Sequence, residues 1–330
     1  MTNETLAEYS LLSTYAAMAV LTLAMLTYVL YLARAATARE DGERRRTPIA
    51  DPVAVGAGPG APADAPLGDE ADTDADAATR VARIAGFARS LTWLATLLIG
   101  VAVVTRGASV GRTPLGNLYE FVLAASLVVL FTFSAWTLRR NVDWLGVFIT
   151  TPVLLMLGVA VTVWYTEAAQ LLPSLQSYWL VIHVTVATIA VGVFTVGAMI
   201  ALMSLLVDHA ERTESSGWLA RLRRVLPGSR ELERLSYGLH IIAFPLWTFT
   251  LIAGAIWARQ AWASYWNWDP KEVWSFIIWV VYAAYLHARA TTGISRQRAT
   301  YIALAGFGCI ILNYSIVNMF FVGQHSYSGL

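Results

Sequence analysis

The sequence predicts an all-α, polytopic membrane helix bundle of about eight transmembrane helices with both termini outside. Of its 330 residues 57% are apolar and only 14% charged, with 13 Trp, which is too apolar for an ordinary soluble domain. Eight separate runs approach the roughly 20 apolar residues that a helix needs to cross the hydrocarbon core. The basic residues divide unequally between the segments that join those runs, and that division sets the orientation.

The runs are Leu11 to Ala33, Phe87 to Thr105, Leu118 to Leu138, Trp144 to Tyr165, Tyr178 to Val207, Tyr237 to Trp257, Val273 to Ala290 and Ala299 to Val322. Glu4 and Glu8 precede the first run in place of a basic region, and no convincing cleavage site follows it, so it reads as a retained span. With the amino terminus outside, 19 of the 23 Lys and Arg fall inside, leaving Arg106, Arg112, Arg259 and Lys271 outside. The net charge of +1 conceals this asymmetry.

Three parts follow: a first transmembrane helix at 1–33, a cytoplasmic and largely disordered loop at 34–86, and a seven-helix membrane domain at 87–330. Within the loop, residues 39–78 are rich in Ala, Pro, Gly and Asp and cannot bury a core. The segment 208–236 mixes Trp218, Leu222 and Val225 with many Arg, as a helix lying on the inner membrane surface would. Cys309 is the single cysteine. A disulfide, a thiol redox pair and a C-x-x-C-H haem attachment site are therefore excluded, and Cys309 reads as a small apolar residue of the last span.

The external loop 258–272 and its flanks carry the chemistry. Trp257, Trp262, Trp266, Trp268, Trp274 and Trp279 lie within 23 residues. Tryptophan gathers at membrane interfaces as an anchor, and Asp269, Pro270 and Glu272 have the form of a helix start, with N-cap, first position and capping partner. Six tryptophans exceed what anchoring one helix end requires. Trp262, Trp266, Trp268 and Trp274 read instead as a shelf for a flat apolar macrocycle, with Arg259 and Lys271 as cations for its carboxylates.

WNWDPKEVW at 266–274 resembles the tryptophan-rich "WWD" signature of a haem-handling protein family, and Tyr285 to Arg289 resembles its CcsA/ResC branch. GRTPLGNLYEF at 111–121 is similar to the Pro-x-x-Asn-Leu-Tyr-Glu element of that branch. The likeness extends from about Gly111 to the C-terminus; the CcmC and CcmF proteins share the tryptophan signature. It implies non-covalent, b-type haem in the bacterial inner membrane, with its site on the extracytoplasmic side.

The histidines divide accordingly. His183 and His325 match the external pair that ligates haem iron on either side of the signature. His287 lies 15 residues after Glu272, about 22 Å along a helix, and corresponds to the membrane histidine that ligates haem before it reaches the outer site. His209 reads as solvated, and His240 has no ligand counterpart in the family.

The implied function is cytochrome c biogenesis within a holocytochrome c synthase complex. Haem is bound in the membrane, moved outward and presented for thioether bonding to the C-x-x-C-H cysteines of an apocytochrome c. A CcsB/ResB-type membrane subunit is the implied partner, thiol-reducing proteins act indirectly, and no nucleic acid is involved. A haem b electron-transfer subunit, or a haem exporter without attachment activity, is the alternative.

Overall fold

Apolar runs of this length satisfy their backbone groups in a bilayer only as helices or closed barrels. A computed structural model of the chain describes residues 3–46, 68–171, 176–213, 217–291 and 293–325, and these contain helices and no strand. In order they are α1 (Glu4–Arg46), α2 (Gly68–Val110), α3 (Leu118–Thr137), α4 (Gly146–Thr162), α5 (Tyr178–Arg212), α6 (Trp218–Val225), α7 (Ser229–Trp262), α8 (Pro270–Thr291) and α9 (Arg296–Leu312). A π turn at Asn313–Val317 and a short α10 (Asn318–Phe320) continue α9. All but α6 belong to eight spans long and apolar enough to cross a membrane. The chain is a multi-pass membrane protein.

Two helices run well beyond their apolar cores. The segment 34–86, expected to be largely disordered, is helical at 34–46 and 68–86, where Ala, Arg and Glu favour helix; residues 47–67 lie outside the described residues. α1 and α2 pack as a hairpin along a seam of small residues. Ala88, Ala95 and Ala102 recur every seven residues opposite Ala17, Leu21 and Ala24, and all are fully buried. Such a stripe brings backbones close where lipid supplies no hydrophobic drive between helices. α6 packs against α1 and α5, with Arg224 paired to Glu40 at 2.8 Å.

The bundle has two large cores, besides a small cluster around Leu180 and Trp257. One lies among α1 to α4 around Tyr28, Tyr119, Phe133 and Leu145, and the other among α5, α7, α8 and α9 around Phe194, Trp247, Tyr282 and Tyr285. α3 and α5 pack across the divide. Phe121 of α3 stacks on Tyr314 of the π turn, with centroids 4.7 Å apart.

At the end that also carries the Trp-rich loop, one carboxylate fastens three segments of the first half. Glu120, 0% exposed, accepts Arg106 Nε at 3.0 Å, Arg112 Nη1 at 2.8 Å and the Gly116 N–H at 2.8 Å. Arg106 also donates to the Thr166 carbonyl at 2.6 Å and Arg112 to the Ala169 carbonyl at 3.0 Å. The exit of α2, the start of α3 and the α4–α5 connection are thereby joined. Glu120→Ala leaves two guanidinium groups without their counter-ion and is expected to cost about 3–5 kcal/mol. The melting temperature of the solubilised protein measures this, and Glu120→Leu with Arg106→Met should recover part of the loss.

Candidate functional site

The α7–α8 turn is built by local rules. α7 stops where Ala263 turns left-handed at φ 59°. Arg259 Nη1 donates to the Ala263 carbonyl at 2.6 Å. α8 opens at Pro270, whose missing N–H costs nothing at a first helical position. Asp269 accepts the Lys271 N–H at 3.2 Å, while Glu272 accepts those of Asn267 at 2.8 Å and Asp269 at 3.2 Å. The two carboxylates cap the helix start reciprocally.

Asp269 also binds the tail that follows α10. Its carboxylate, 6% exposed, accepts the Gln324 N–H at 2.6 Å and His325 Nδ1–H at 2.9 Å. Burial raises the carboxyl, but the hydrogen bond and charge of His325, with the N–H groups of Gln324 and Lys271, outweigh it and hold Asp269 below the usual carboxylate range. The tail passes so closely that a Cβ on Gly323 would collide with Asp269 Oδ1. Asn267 Nδ2 donates to Gln324 Oε1 at 3.0 Å beside it.

His183 approaches from α5. Its Nδ1 lies 3.0 Å from the Thr250 carbonyl of α7. A carbonyl only accepts, so Nδ1 carries the proton and the lone pair sits on Nε2. Gly254 makes the approach possible, since a Cβ there would lie 2.8 Å from His183 Cε1. In its bond to Asp269, Nδ1 of His325 likewise carries the proton. Imidazoles oriented through Nδ1 by oxygen acceptors are the usual form of histidines that ligate metal through Nε2.

The two histidines line the same pair of adjoining cavities, together with Lys271 and Tyr314. Tyr265, Trp266, Glu272 and Asn313 complete the first lobe; Leu115, Asn117, Trp257 and Asn318 help to form the second. The π turn contributes Asn313 and Tyr314, as such irregular turns often do at functional sites. Among the described residues no three His, Cys, Asp or Glu side chains converge as a cage for a bare metal ion. An iron already held by four porphyrin nitrogens needs only two axial ligands. The donor set fits haem.

The other expected residues are dispersed around this centre. Trp262 sits edge-on to His325, centroids 4.7 Å apart, and beside Trp257 at 6.2 Å. Trp266 lines the first lobe and meets Trp268 nearly perpendicularly, at 88°. The rings therefore do not form one plane. Trp268 is 78% exposed, and the half-buried Trp274 lines neither lobe. Arg259 is exposed beside Tyr265 and lines neither lobe, whereas Lys271 lines both. His287 faces outward on α8, far along the helix from Asp269. His240 is fully buried among Phe194, Tyr282 and Tyr285, with Nδ1 donating to the Ser236 carbonyl at 2.7 Å.

Sequence reasoning missed Thr250, Gly254, Asn313, Tyr314 and Asn318. The two asparagines carried a signal, being amides inside an apolar run. The Thr250 carbonyl carried none, because a backbone acceptor leaves no trace in residue type.

A family model described as "Cytochrome C assembly protein" matches residues 115–325. The chain is 35% identical over 255 residues to the cytochrome c biogenesis protein CcsA of Guillardia theta, covering 72% of this chain and 84% of that one. It is 34% identical over 287 residues to the CcsA of Synechococcus sp. (strain JA-3-3Ab), covering 71% and 83%. For the CcsA of Synechococcus sp. (strain CC9902) the identity is 33% over 268 residues, covering 73% and 86%.

The tail contact is open to a direct check. With Cys309 replaced by Ser, Asn267→Cys and Gln324→Cys should be joined by a short thiol cross-linker. Asp269→Ala should abolish most of the linkage, and an unchanged yield would show that something else holds the tail.

Proposed function

The chain belongs to the cytochrome c assembly protein family as a CcsA-type cytochrome c biogenesis protein, and from that premise we propose that it binds haem in the membrane and presents it at the cavity shared by His183 and His325. The carrying observation is that shared cavity. Two imidazoles from α5 and from the C-terminal tail line it, each with its Nδ1–H engaged by an oxygen acceptor. The Trp-rich end faces the extracytoplasmic side, in keeping with the 19 to 4 division of basic residues.

Bound haem supplies two vinyl groups, across which the S–H bonds of an apocytochrome C-x-x-C-H motif add; each sulfur bonds to carbon, the hydrogen ends on the neighbouring carbon, and no oxidant is consumed. The chain's residues orient and exclude water, which is how a protein commonly serves a cofactor. Thr250 and Asp269 fix the two rings, Trp266 lines the first lobe and Trp262 packs edge-on against His325. No nucleophile of the chain is required.

His287 receives haem on the outward face of α8, where a CcsB/ResB-type membrane subunit provides the opposing ligand. Its exposure suits a partner contact. Thiol-reducing proteins keep the acceptor cysteines ready and need not touch this chain.

The histidines should fail in two distinguishable ways. His183→Gly and His325→Gly should lose cytochrome c maturation, retain haem with altered absorption, and recover partly with added imidazole. His287→Gly should purify with little haem. Co-expression with the partner subunit and an apocytochrome, followed by a haem stain and spectra, reads both; full haem and full maturation in His287→Gly would contradict the entry route.

A further inference from the structure

We propose that the second lobe of the cavity is a carboxylate subsite, in which Lys271 Nζ, Asn318 Nδ2 and Trp257 Nε1 receive a propionate of the haem. The inference rests on the function proposed above and says which way round the macrocycle sits. Asn318 is 5% exposed; its oxygen accepts Lys271 Nζ, and its amide nitrogen has no acceptor among the described residues. Trp257 is 3% exposed, and its indole N–H likewise lacks one. Buried donors are rarely left unmatched, because the lost hydrogen bond to water is not replaced. Here two of them lie on the wall of one cavity beside a cation.

Lys271 forms no salt bridge among the described residues, and the acidic charge that acts on it is that of Asp269. Asp269 is taken up by His325 and by the N–H groups of Gln324 and Lys271, and Glu272 by those of Asn267 and Asp269. The ammonium rests 5.3 Å from the centroid of the Tyr314 ring and on the Asn318 oxygen. Neither neutralises it.

The two lobes differ in charge. Glu272 lines the first, whereas the second contains no Asp or Glu. Behind its wall at Gly116, the two guanidinium groups of Arg106 and Arg112 outnumber the single carboxylate of Glu120. Leu115, Leu118, Phe121, Leu180 and Val184 supply apolar lining beside Asn117, Tyr314 and the two histidines. An ammonium and two N–H donors set in a largely apolar wall, in a lobe that no acidic residue lines, select an anion on an apolar body. The macrocycle is therefore oriented with a propionate toward α3 and α10, and its opposite edge toward Trp266.

The test compares two probes on the purified full-length chain in nanodiscs: iron protoporphyrin IX and its dimethyl ester, which lacks both carboxylates. The wild type should bind the free acid at least about tenfold more tightly, the order of one charge-assisted hydrogen bond. Lys271→Met and Asn318→Leu should each weaken the acid about tenfold and leave the ester unchanged, with the spectrum of the bound iron preserved. Trp257→Phe removes the N–H together with the pyrrole part of the ring and should move the same ratio in the same direction; the unchanged affinity for the ester is what guards against a folding defect in all three variants. Equal wild-type affinity for the two probes, or equal losses for both in the variants, would overturn the subsite while leaving the haem reading intact. If neither probe gives the spectrum of an iron with two imidazoles, that reading fails and the subsite with it.

Discussion

The carboxylate of Asp269 is the constraint on which the site depends. It ends a turn, starts a helix and holds a tail that lies 56 residues further along the chain. Its Oδ2 takes the Lys271 N–H and His325 Nδ1–H, and its Oδ1 takes the Gln324 N–H. A carboxylate buried to 6% exposure is costly unless its lone pairs are matched. Matching them requires the tail to come back against the start of α8. Helix capping and the placement of His325 are thus one interaction. Pro270 and Glu272 serve the same end by fixing where α8 begins.

The opposite wall is held differently. His183 stands on a long helix, and its ring is set by a backbone carbonyl and by the absence of a side chain at Gly254. Glu120, with its two arginines, fixes the loop that closes the second lobe. One histidine is therefore carried on a rigid span and the other on a tail tied down at a single carboxylate. His240 shares the Nδ1 device but is enclosed by aromatic rings, with Gly197 against its edge. That packing leaves it in the core of the second half, whereas His287 is exposed on α8.

Much of the bundle was legible because a bilayer permits few solutions. Each of the eight apolar runs falls on one of the eight spanning helices, three of them overrunning its end by one to three residues, since about 20 residues without an internal alternative to helix leave little choice. The basic, apolar-dotted segment after α5 contains α6, again from composition alone. Helix ends were less legible. α1 and α2 extend past their apolar cores because Ala, Arg and Glu sustain a helix that the membrane does not require. At the site, the histidines and the Trp cluster stood out by type and density. What each tryptophan touches did not, because that depends on how the turn folds: Trp268 adopts φ 58° and points away, while Trp266 faces the cavity. Asn318 was visible as an amide in an apolar helix, but its pairing with Lys271 across two helices was not.

The most direct measurement is electron paramagnetic resonance on the ferric, haem-loaded protein, comparing the wild type with Asp269→Ala. Retention of His325 by Asp269 predicts a low-spin signal of two imidazole ligands in the wild type, and its replacement in Asp269→Ala by the signal seen when His325 itself is removed. An unchanged two-imidazole signal in Asp269→Ala would contradict it.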